Sequence, residues 1–102
     1  MGYEVHVHGK VELCKPIEEL YENVSRDDPP YSIGYFIRNL NWADDRKTFN
    51  RYGKLWYDMD EVIEYLSKFL NGTIWFHGED NNSWKYVIKD GNITFEKRSA
   101  EW

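Results

Sequence analysis

The sequence predicts a single α+β domain over residues 1–102, a mainly antiparallel sheet of about five strands with two helices packed on one face. That prediction rests on strict apolar/polar alternation from Tyr3 to Leu13, a broad helical stripe from Met59 to Leu70, and an alternating C-terminal third broken at Asp90-Gly91. A chain of 102 residues leaves no room for a second core, and no repeat, linker or low-complexity tract divides it.

In the first strand Tyr3, Val5, Val7, Val11 and Leu13 share one face, while Glu4, His6, His8, Lys10 and Glu12 share the other. This period of two marks a half-buried strand. Pro16 then suits the first turn of a short helix, where its missing N–H leaves no intrahelical bond unmade. Ile17, Leu20, Tyr21 and Val24 follow at helical spacing until Arg26-Asp27-Asp28-Pro29-Pro30, which neither helix nor central strand tolerates. Ile33, Tyr35 and Ile37 alternate with Gly34, Phe36 and Arg38; the run also fits a short helix, and strand is the reading adopted. Asn41 to Asn50 reads as an exposed loop or hairpin tip, and Arg51 to Tyr57 returns to an aromatic, strand-like pattern.

Asp58, with Glu61 three residues on, forms a capping-box arrangement ahead of a second helix. Met59, Val62, Ile63, Leu66, Phe69 and Leu70 make its apolar stripe, Asp60, Glu61, Glu64 and Lys68 its wet face, and Asn71-Gly72 its left-handed stop. From Thr73 onward a three-stranded meander is expected. Ile74 and Phe76 alternate with Thr73, Trp75 and His77; Trp84, Tyr86 and Ile88 with Lys85, Val87 and Lys89; Ile93 and Phe95 with Thr94 and Glu96. Asp90-Gly91 is a strong hairpin signal, because both central residues of such a turn need positive φ. With the helices on one side, the other face of the sheet is left open to solvent.

Thirteen Lys and Arg against eighteen Asp and Glu give a formal charge of −5, which repels phosphate backbones. Direct nucleic-acid binding is therefore not expected, and a basic protein partner is the easier case; the same charge also keeps a small protein soluble. Cys14 is the single cysteine, so neither an internal disulfide nor a cysteine zinc cluster can form, and it reads as a buried small hydrophobe at a strand end rather than a catalytic thiol. The start Met1-Gly2-Tyr3-Glu4 is neither basic nor apolar, and no stretch reaches the length of a membrane span. A cytoplasmic protein without membrane attachment is the expectation. The acceptor patterns at Asn23, Asn71, Asn81 and Asn92 are read as chance matches.

The opening Met-Gly-Tyr-x-Val-x-Val-x-Gly-x-Val-x-Leu, with Gly78, Glu79, Trp84, Asp90, Gly91 and Trp102 near the other end, resembles an uncharacterised group of small bacterial and phage α+β proteins. The resemblance touches both ends of the chain and skips residues 25–57. Its motifs are turn and core residues, so it implies a fold and a phage or mobile-element source, and no activity.

His6 and His8 point one way from the first strand, as do His77 and Glu79 from a later one. If those strands are neighbours, three imidazoles and a carboxylate lie on the open face, and His6, His8 and His77 become candidate ligands of a divalent metal such as zinc. A solvated His-x-His is the plainer reading, with no cofactor at all. The same residues suit acid–base chemistry, but no nucleophile elbow, phosphate-binding glycine loop or paired-carboxylate spacing accompanies them. Five Trp and eight Tyr exceed what so small a core needs, so part of the aromatic set, Trp75 above all, is expected at the surface, where such rings anchor interfaces. The dispersed acidic residues also admit mimicry of a phosphate backbone, though helices carry acid near their N-termini for dipole reasons.

The leading expectation is a non-enzymatic protein-interaction module, phage- or mobile-element-encoded, that inhibits a host or bacterial protein such as a defence effector or nuclease. Its binding face comprises His6, His8, Trp75, His77 and Glu79, rimmed by Lys85. The alternative is a small-molecule, nucleotide or metal-binding protein using the same face, and a homodimer is compatible with either.

Overall fold

The computed structural model describes residues 3–22, 33–55, 59–78 and 82–97. Nine elements follow in chain order: β1 (Tyr3–Leu13), α1 (Ile17–Tyr21), α2 (Ile33–Arg38), β2 (Asn41–Trp42), β3 (Thr48–Leu55), α3 (Met59–Leu66), β4 (Leu70–Gly78), β5 (Ser83–Lys89) and β6 (Asn92–Lys97). The strands form one sheet in the order β2-β3-β1-β4-β5-β6, every neighbouring pair antiparallel. The fold is therefore α+β, with six strands and three helices among the described residues where about five and two were expected.

β1 takes a central place because its alternation gives it an apolar side deep enough to be covered. Val5 and Val7 are fully buried and Val11 nearly so. Against them pack Leu20 of α1, Phe36 and Ile37 of α2, and Val62, Ile63 and Leu66 of α3, in one cluster with Phe49, Ile74, Phe76, Tyr86 and Ile88 of the sheet. All three helices thus share one sheet face. Hydroxyl and indole groups carried inward with the rings find partners. Tyr65 Oη donates to Leu20 O at 2.7 Å, joining α3 to α1, and Trp42 Nε1 donates to Tyr21 Oη at 2.9 Å, joining β2 to α1.

Residues 33–38 are helix and not strand. Six residues satisfy either period, but Ile33, Phe36, Ile37 and Leu40 recur at helical spacing and all reach the core, while Tyr35 stays half-exposed. The segment 41–50, expected as an exposed loop or hairpin tip, is a hairpin: Asn41 and Trp42 pair with Asn50 and Phe49, and residues 43–47 form the tip.

The second helix also ends earlier than its apolar stripe. α3 stops at Leu66, the turn is closed by Phe69 N–H donating to Leu66 O at 2.9 Å, and Leu70 already belongs to β4. Asn71 and Gly72 are strand residues paired with Glu12 and Val11, not a helix stop. Gly72 is required there for a different reason: at φ +140° a Cβ would run into Lys10 O and Val11 Cα of the adjacent strand. Cys14 is exposed and not buried, since the chain leaves the sheet after Leu13; its N–H is tied to Phe69 O at 2.7 Å while the thiol accepts from Asn71 Nδ2 at 3.4 Å. The Asp90-Gly91 turn has φ values of +52° and +83°, as a type I′ hairpin demands.

Candidate functional site

The pairing of β1 with β4 assembles the site. His6 stands opposite His77 and His8 opposite Trp75, and directly opposed residues of an antiparallel pair share a face. That face is the one the helices leave uncovered. β5 adds Lys85 opposite Trp75 and Ser83 opposite His77, and β3 adds Tyr52 opposite His6 and Asn50 opposite His8.

The rings are close. His8 lies 4.8 Å from Trp75 and 5.3 Å from His77 between centroids, and His6 lies 6.1 Å from His8. His8 is the centre of the group, and its Nε2 is shut off from solvent with no hydrogen bond inside the protein. Burial, then the neighbouring His77 and His6, hold its pKa below the ordinary histidine value, so the ring favours its neutral form. His77 Nδ1 is hydrogen-bonded to Ser83 Oγ at 3.1 Å, which sets the orientation of that ring. Lys85 is paired with Glu96 of β6 at 3.2 Å, and Tyr52 Oη donates to Glu4 Oε2 at 3.2 Å. The polar rim is largely self-satisfied around a centre of imidazole and indole.

Of the residues named from the sequence, His6, His8, Trp75, His77 and Lys85 stand together on this face. Glu79 and Trp102 lie outside the described residues. Trp42 is half-buried against the core, its ring 4.9 Å from Phe49. Sequence reasoning missed Tyr52, which is 72% exposed, and Asn50. Their alternation was visible, but nothing local says that β3 is the other neighbour of β1.

A concavity of about 550 Å³ opens beside the ring cluster, lined by His6, His8, Lys10, Asn50 and Trp75 among others. Among the described residues no group of three or more His, Cys, Asp or Glu side chains is arranged to hold a metal ion. Among the same residues no helix is long and apolar enough to cross a membrane. Comparison with protein-family models, with curated proteins and with solved structures finds no match to this chain.

Proposed function

We propose that this chain is a non-enzymatic protein-interaction module whose docking surface is the open sheet face centred on His8 and Trp75. The observation that carries the reading is the 4.8 Å contact between those two rings on the sheet face opposite the described helices. A centre of imidazole and indole rings with a paired rim of Lys85–Glu96 and Tyr52–Glu4 is the layout of an interface core, in which water is excluded from large flat rings. The partner class we propose is a host protein such as a defence effector or nuclease, which the chain inhibits by occupying it. Net acidity and the resemblance of the sequence pattern to small bacterial and phage proteins support that part.

The test is capture from a bacterial lysate with the wild-type chain and with Trp75→Ala plus His77→Ala, followed by titration of the recovered protein. Loss of an anchoring Trp costs about 2 kcal/mol or more, roughly a 30-fold weaker complex. Unchanged recovery by the double variant would remove this face from consideration.

The concavity beside the rings favours a second reading, a small-molecule or nucleotide site in which Trp75 stacks on the ligand while Lys10 and Asn50 hold its polar groups. A divalent ion on His6, His8 and His77 belongs to the same reading and requires the three rings to turn from their present arrangement. Native mass spectrometry separates the two: a retained small ligand or metal supports the second, a retained polypeptide the first. Absence of binding heat with zinc would dispose of the metal.

A further inference from the structure

We propose that two copies of this chain join edge to edge through β6, antiparallel about a two-fold axis at Thr94, merging their sheets into one. The inference is independent of the open-face reading.

The two edges of the sheet are built differently. At one end β2 is only two residues long, and a short edge offers little to pair with. At the other, β6 runs for six residues, all exposed, without a proline, and carries Ile93 and Phe95 at 38% and 50% exposure. These two side chains point to the core side of the sheet, opposite Ile88 and Tyr86 of β5, yet both remain exposed. Phe95 touches Tyr86 at 5.2 Å between ring centroids and is half-exposed.

The backbone says which groups are available. The two-residue Asp90-Gly91 loop makes Lys89 and Asn92 a hydrogen-bonded pair, so Asn92, Thr94 and Glu96 turn their N–H and C=O groups toward β5. Ile93, Phe95 and Lys97 therefore direct theirs to the free edge. Ile93 and Phe95 thus carry both the exposed apolar side chains and backbone groups that no other described strand pairs with.

Symmetry then narrows the register. Opposed residues in an antiparallel pair share a face, so two identical strands related by a two-fold axis normal to the sheet must centre on a residue and not between residues. Centring on Thr94 sets Ile93 opposite Phe95 of the second copy, twice, with both pairs exchanging backbone hydrogen bonds. On the other face it sets Asn92 opposite Glu96, an amide against a carboxylate. Centring on Phe95 would instead oppose Ile93 with Lys97. The Thr94 register extends the apolar row of Ile88 and Tyr86 continuously across the axis and opposes no like charges. One strand pair buries an area at the small end of specific interfaces, so association in the micromolar range is expected.

Sedimentation velocity over about 5 to 500 μM should show the mass moving from 12.3 kDa toward twice that value. Phe95→Lys should weaken association at least ~30-fold, with far-ultraviolet circular dichroism retained. A second measurement leaves both apolar residues in place. In a Cys14→Ser background, Thr94→Cys should form a disulfide dimer under mild oxidation, because a non-hydrogen-bonded pair brings its Cα atoms to about 4.5 Å. Asn92→Cys should not, since the two copies of residue 92 lie roughly 13 Å apart along the strands. A monomer at every concentration, with the Thr94→Cys variant cross-linking no faster than the Asn92→Cys variant, would overturn the proposal. So would capture of a different protein along β6 in place of a second copy.

Discussion

The ring of Phe49 lies over the backbone of Gly9: a Cβ built on Gly9 would fall inside 3.0 Å of Cζ, Cε1 and Cε2 of that ring. Gly9 and Phe49 are directly paired across β1 and β3, and Phe49 is 2% exposed, so the ring has nowhere to retreat. Gly9→Ala should therefore destabilise the fold by about 1–3 kcal/mol, as overpacking does, lowering Tm by roughly 5–15 °C in a domain of this size. Repeating the substitution in a Phe49→Leu background should recover part of that loss. Additive costs in the double variant would show that the two residues do not share the strain.

Two other glycines should respond in different measure. At Gly72 the missing side chain admits Lys10 O and Val11 Cα of β1, both backbone atoms that cannot rotate aside. At Gly91 no atom lies within 4 Å, and only the φ of +83° opposes a side chain. Gly91→Ala should cost about 1 kcal/mol and Gly72→Ala clearly more, read from urea midpoints at equal m-value.

Tyr65 ties α3 to the last turn of α1 through its bond to Leu20 O at 2.7 Å. Burial, then the nearby charge of Glu22, raises its pKa, so the hydroxyl remains a donor through the neutral range. Tyr65→Phe keeps the packing against Phe69 and removes only that donor. A loss of about 1 kcal/mol is expected, with amide exchange accelerating first in α1, the shorter of the two helices.

His8 makes stability depend on pH in a defined direction. Its folded pKa is lowered, first by burial and then by His77 and His6, so below the ordinary value of 6.5 the unfolded chain binds the proton more readily. Stability is unaffected well above 6.5 and is lost as pH falls from there through the lowered folded pKa. Wild-type Tm should drop as pH falls below 6.5, and His8→Gln should flatten part of that drop. An identical pH profile in the variant would assign the effect elsewhere.

Legibility differed by element, for physical reasons. The face of β1 and the Asp90-Gly91 turn could be read directly, since alternation over eleven residues and a positive φ at both turn positions have few competing explanations. α2 was misread because six residues fit a period of two or of 3.6, and Leu40, which breaks the tie, lies beyond them. Asn71-Gly72 carried an ordinary helix-stop signal that pairing with β1 overrode. In the candidate site, His6 and His8 were visible as a same-face pair. The contacts of His8 with Trp75 and His77 were not, because those depend on residues nearly seventy positions away.

Which side of its own strand or helix each residue occupies is written in the chain, because side-chain direction follows from backbone geometry within a few bonds. Which sides meet is not. That β1 lies between β3 and β4, that His8 faces Trp75, and that β6 ends the order of the described strands came from the way the described helices and strands together bury one apolar surface. That choice is made by the whole core at once, and no local pattern contains it.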